Sequence, residues 1–165
     1  NSTSLYKNFI TIDKGAVDGV APGMAAISNL GAVGKVKSVS DHYAVLISLL
    51  NVDEQVSSVL KKTNQLGSVR WDGANMRYSN LLFIPRHATP VIGDSVITSG
   101  YNAVFPDGIL VGIVSEVNLK EEAPFWDIRI ELSQDFGRLS FVEIIKSRLK
   151  NEQDSLKQVT IGDPK

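Results

Sequence analysis

The chain has 165 residues, with 17 Lys+Arg against 18 Asp+Glu, no cysteine, 13 glycines and 6 prolines. That length makes one domain or two small ones, and a formal net charge of −1 lacks the cation excess that neutralises phosphates, so nucleic acid is not an expected partner. Without cysteine there is no disulfide, thiolate nucleophile or Cys-based metal site, a composition compatible with an oxidising compartment.

The sequence opens at Asn1 with no initiator Met, basic segment or hydrophobic signal core, which reads as a processed product or an excised piece. The longest apolar stretches, Ala44–Leu50 and Ile109–Val114, fall far short of the ~20 residues of a membrane helix. Period-two alternation dominates instead. Val33, Val36 and Val39 surround Lys35 and Lys37; Val45, Ile47 and Leu49 alternate with Leu46 and Ser48; Ile128, Ile130 and Leu132 alternate with Arg129 and Glu131. These are strand patterns. Asp18-Gly19, Pro22-Gly23, Asp72-Gly73, Ser99-Gly100, Pro106-Asp107-Gly108 and Phe136-Gly137 are turn chemistry between them. Many short strands at close turn spacing indicate a barrel or sandwich.

An internal repeat sharpens this reading. Gly23–Ser28 aligns with Gly93–Thr98 at an offset of 70 residues, Val33–Val39 with Val111–Val117 at 78, and Val45–Leu49 with Ile128–Leu132 at 83, where Val56 and Val59 also match Leu139 and Val142. The growing offset places one loop insertion at Gly100–Gly108 and another around Asn118–Trp126. The expected fold is all-β: two small six-stranded β-barrels from a duplication, residues 9–74 and 75–145, packed on each other with possible strand exchange at the boundary. Each such unit is too small to bury a generous core alone. Residues 146–165 carry five cations and three anions, with Ile145, Leu149 and Leu156 at spacings of 4 and 7. They are expected to form a short helical or disordered tail.

The chain resembles the MreC rod-shape-determining family over residues 9–145. The motifs are Phe9-Ile10-Thr11-Ile12-Asp13-Lys14-Gly15, Asp18-Gly19-Val20, Pro22-Gly23-Met24-Ala25 and Gly31–Val36, then Val91–Gly100, Val104–Ile109, Val111-Gly112 and Asp135–Leu139. The resemblance implies an extracytoplasmic (periplasmic) domain of paired barrels, anchored to the cytoplasmic membrane by a segment missing from this chain. It implies a non-enzymatic scaffold of the cell-wall elongation complex, without cofactor or metal. The implied partners are a class B penicillin-binding protein, MreD, RodA and other elongation-complex proteins. Free strand edges add an expectation of self-association into dimers or filaments.

Candidate chemistry is sparse beside this. Gly31-Ala-Val-Gly34-Lys35 is too short for a phosphate loop and has Val36 where Ser or Thr would bind Mg²⁺; close backbone approach within a strand explains these glycines better. A chymotrypsin-like hydrolase would need Ser95 as nucleophile, His42 as base and Asp53 as orienting acid. Against it, Val96 stands where such a loop needs glycine, and the repeat places Asp94-Ser95 at a strand start. His42 and His87 are far apart, His87 has no acidic neighbour at ligand spacing, and the members of Asp53-Glu54 and of Glu121-Glu122 would point to opposite faces of a strand. The remaining candidates are apolar residues of the two insertions: Tyr101, Val104, Phe105, Phe125 and Trp126. They either fill the barrel ends and the seam between the copies or form a partner contact.

Overall fold

The computed structural model describes residues 6–101 and 104–146. Its strands are β1 (Lys7–Ile12), β2 (Ala25–Ser28), β3 (Gly31–Val39), β4 (Ala44–Asn51), β5 (Val56–Leu60), β6 (Gln65–Arg70), β7 (Tyr78–Leu82), β8 (Ser95–Thr98), β9 (Leu110–Asn118), β10 (Asp127–Leu132) and β11 (Glu143–Ile145). Among the described residues, helical backbone is confined to two three-residue 3-10 turns, Ala16–Asp18 and Phe136–Arg138. The fold is all-β, as the alternation implies. The tail expected beyond Lys146 lies outside the described residues.

The strands form two sheets of different closure. One is a closed barrel in the order β10-β7-β6-β5-β8-β9; the other is an open antiparallel sheet in the order β1-β4-β3-β2-β11. The expectation of two six-stranded barrels is therefore corrected among the described residues to one barrel and one five-stranded sheet. The physical difference is β6. In the barrel it bridges β5 and β7, whereas no described strand bridges β11 and β1.

The strand pairings repeat between the sheets. Met24 and Val36 meet through Val36 N–H donating to Met24 O (2.8 Å), and Asp94 and Val114 meet identically through Val114 N–H and Asp94 O (2.9 Å). Each β2–β3 type pair carries an irregularity at the same place, Ala26/Ile27 in one and Val96/Ile97 in the other. The third match shifts by one residue from the sequence alignment. Val36 faces Leu46 and Val114 faces Ile130, so β4 maps onto β10 at an offset of 84 and not 83. A slip of one residue would turn every side chain to the wrong face, and Leu46 and Ile130 are both fully buried. The same logic maps β1 onto β7, with Phe9, Ile10 and Ile12 at the places of Tyr78, Ser79 and Leu81.

The fifth strands change places. β5 follows β4 in the chain yet pairs with β8 in the barrel, and β11 follows β10 yet pairs with β2 in the open sheet. Leu60 lies opposite Val96 as Ile144 lies opposite Ala26. The division of sheets consequently does not follow the chain at residue 74, since β5 and β6 sit in the barrel and β11 in the open sheet.

Burial follows this exchange. Ala26, Val33, Val36, Ala44 and Leu46 make the core of the open sheet, while Ala25 and Ala32, on its opposite face, join the barrel core with Leu60, Leu81, Val111 and Ile130. Glycine at two equivalent positions lets β3 and β9 approach their neighbours. A Cβ on Gly34 would stand 2.0 Å from the carbonyl oxygen of Ile47, and one on Gly112 2.5 Å from that of Glu131. Ile47 and Glu131 are themselves equivalent residues.

Gly34→Ala and Gly112→Ala are each expected to lower the unfolding free energy by about 1–3 kcal/mol, read from urea denaturation. In the barrel core Ser79 takes the place Ile10 holds in the open sheet, and its hydroxyl is buried without a hydrogen-bond partner among the described residues. Ser79→Ala should therefore leave stability unchanged or raise it by up to about 1 kcal/mol in the same assay.

Candidate interaction surface

The hydrolytic constellation is not assembled. Ser95 opens β8 opposite Ile113, His42 lies exposed in the β3–β4 turn, and the Asp53 carboxylate is 2.8 Å from the Lys7 ammonium. Among the described residues no hydrogen bond joins these three. Of the two amides that would form an oxyanion hole, those of Gly93 and Ser95, the first is committed elsewhere: Gly93 N–H donates to Val114 O (2.8 Å), and between them Asp94 N–H donates to Val91 O (3.0 Å). The Asp94 carboxylate accepts from Val91 N–H (2.9 Å), which makes Gly93-Asp94-Ser95 a turn entering a strand. Among the described residues no three His, Cys, Asp or Glu side chains gather as metal ligands.

The two insertions behave differently. Phe105 is 3% exposed and belongs to the barrel core, and Val104 packs against that core. Both line a cavity of about 30 Å³ with Ile47, Leu49 and Val56, so this loop fills the seam between barrel and sheet. Tyr101, from the same loop, is 73% exposed. Trp126 is half-buried with its indole N–H on the Ala88 carbonyl (3.1 Å), whereas the neighbouring Phe125 is exposed.

Phe125 has a partner that sequence reading missed. Phe83, also exposed, meets it edge to face at a centroid distance of 5.7 Å. Phe83 has φ +70°, a left-handed backbone that costs a bulky residue roughly 1–2 kcal/mol. No propensity rule places a phenylalanine there; the signal was only its position beside the turn Pro85-Arg86-His87. Two backbone hydrogen bonds, Arg86 N–H to Pro124 O and Trp126 N–H to Ile84 O, hold the pair in place and together form the bridge between Pro85 and Phe125. The Arg86 guanidinium donates to the Lys120 and Ala123 carbonyls, both at 3.0 Å, pinning the second insertion beneath them. An exposed aromatic pair on a braced loop is the anchor type that dominates protein interfaces.

Among the described residues no strand joins β11 to β1, and a groove of about 810 Å³ lies between them. Its walls carry Ile10 and Ile12 of β1, Ile144 of β11, Val20 and Val142, with Phe141 at 87% exposure. Asp13, Asp18 and Lys14 line the same groove.

Residues 1–146 match the protein family described as "Rod shape-determining protein MreC, barrel core". The chain belongs to the MreC family. The cell shape-determining protein MreC of Cereibacter sphaeroides is 28% identical over 147 residues, covering 89% of this chain and 46% of that protein. The chain thus spans about half the length of the curated MreC relatives it matches. The crystal structure of MreC from Pseudomonas aeruginosa superposes with a TM-score of 0.82 at 24% identity, over 87% of this chain and 92% of that one. The major periplasmic domain of the cell shape-determining filament MreC gives 0.72 at 21% identity, over 88% and 89%. A complex between a penicillin-binding protein and MreC from Helicobacter pylori gives 0.59 at 21% identity, over 75% and 77%. Below 25% identity these likenesses establish a shared MreC fold.

Removing the clamp beneath the aromatic pair tests the geometry. Arg86→Ala leaves the Ala123 carbonyl without its guanidinium donor and the Lys120 carbonyl with the Ala123 N–H alone, so hydrogen exchange across residues 119–126 should accelerate while the barrel core stays protected. The stability loss is expected to be about 1 kcal/mol, measured by thermal or urea unfolding.

Proposed function

We propose that this chain is the extracytoplasmic domain of a non-enzymatic scaffold of the cell-wall elongation complex. In this reading it organises peptidoglycan synthases at the periplasmic face of the cytoplasmic membrane and maintains cell shape. The observation that carries the proposal is the family match across residues 1–146. The immediate partner is a class B penicillin-binding protein, a reading supported by likeness to the H. pylori MreC solved in complex with a penicillin-binding protein, PBP2. MreD, RodA and other elongation-complex proteins are proposed as further partners, reached through an anchor that lies outside this chain. Self-association into dimers or filaments is proposed as well, supported by the description of one similar MreC as a filament.

Within this scaffold the contact residues are proposed to be Tyr101 and Phe125, together with Phe83. Their exposure supports the assignment. Phe105, Val104 and Trp126, buried or half-buried, act behind them as packing.

The test is binding of the extracytoplasmic part of the cognate transpeptidase, measured by interferometry or calorimetry. Phe83→Ala with Phe125→Ala should weaken binding at least tenfold, about 1.4 kcal/mol, while the unfolding midpoint stays put. Unchanged affinity would overturn the contact assignment, and no binding by the unaltered chain would overturn the partner. Phe105→Ala should act otherwise, costing about 3–5 kcal/mol of stability through a core cavity. Ser95→Ala should leave binding intact, as a scaffold requires and a hydrolase does not.

A further inference from the structure

We infer that the groove between β1 and β11 is a docking site for one extended strand of another protein, seated where β6 sits in the barrel. This rests on the duplicated sheet geometry and not on the scaffold reading. The barrel shows what a bridging strand does. β6 runs antiparallel to both β5 and β7, placing Val69 opposite Leu81 and Gln65 opposite Leu60. Beneath it Leu60 and Leu81 are 1% and 0% exposed. Their equivalents in the open sheet are Ile144 and Ile12, each at the same register position and each only half-buried. Two aliphatic side chains thus remain partly wet at the two places a sixth strand would cover, in a groove of about 810 Å³. That volume falls within the range of built ligand sites.

The template also defines the occupant's chemistry. The residue taking the place of Val69 would lie opposite Ile12, so it is aliphatic and points inward. The next residue along, in the place of Ser68, would lie beside Asp13, because Leu82 is its barrel partner. Asp13 and Asp18 outnumber Lys14 on the groove wall, so a Lys or Arg at that place completes an oppositely charged cross-strand pair. The site therefore fits an extended segment with a basic residue next to an inward aliphatic one. Strand addition of this kind draws its affinity from main-chain hydrogen bonds and its choice of sequence from alternate side chains.

The test uses the whole chain and a synthetic peptide copying residues 63–72 with Lys in place of Ser68. Amide shifts and protection are expected in β1 and β11, with saturable one-to-one binding. The Ile12→Glu, Ile144→Glu double variant should bind at least tenfold more weakly. If that variant unfolds, Phe141→Arg, altering a side chain already in water, should weaken binding instead. Absence of binding, or shifts confined to β5 and β7, would overturn the inference. So would a chain ending at Lys146 whose β1 and β11 amides move on truncation, since its own later residues would then fill the groove. A groove variant that lowers the sedimentation mass would equally overturn it, assigning the groove to a second copy.

Discussion

The exchange of fifth strands is the constraint on which the rest of the molecule depends. β5 completes a hydrogen-bond ladder begun by β8, and β11 completes one begun by β2. Neither half of the chain satisfies its own sheet edge, so each half's backbone donors and acceptors are paired only when the other is present. The apolar layer between the sheets follows from this. Ala25 and Ala32 turn toward the barrel while Ala26 and Val33 turn away, and the small size of the first two keeps the layers close enough for Phe105 to close the remaining seam. Backbone spacing is set in the same economical way, by Gly34 and Gly112 at equivalent points of β3 and β9.

Much of this was legible in the sequence because duplication writes the same physics twice. Gly23 and Gly93 enter equivalent strands, and Val36 and Val114 make equivalent bonds, so the first two alignments recovered true structural partners. The third erred by one residue because both faces of β4 are apolar: Val45, Leu46, Ile47 and Leu49 give the period-two pattern no polar face to settle the register. Strand exchange was open as a possibility but its reciprocity was not readable, since local pattern shows that Val56–Leu60 is a strand and not which edge it joins. Closure of both barrels was inferred from one unit. That no described strand bridges β11 and β1 shows only when the two are seen as neighbours along one groove.

The candidate surface was legible in part for a related reason. Insertions marked the loops that carry Phe105 and Phe125, yet composition could not say that one turns inward and the other outward. Phe83 was invisible because its importance lies in a left-handed backbone and a contact with a residue 42 positions away. The negative evidence was more secure. Ser95 at a strand start, with the amides of Gly93 and Asp94 already spent on the turn, is a consequence of the same repeat that defines the fold.

The pairing of β2 with β11 also fixes an order of events. Ala25 finds its partner in Ile145, whereas Ser58 finds its own in Thr98, a far shorter span of chain. Closing the longer loop carries the larger entropic cost, and non-local ladders form late. As the chain emerges from synthesis, β1 to β4 can assemble early and the barrel can close around β5 and β6, while one side of β2 waits uncovered. The first sheet begun is the last completed, and its waiting edge is the nascent chain's most exposed template for mispairing.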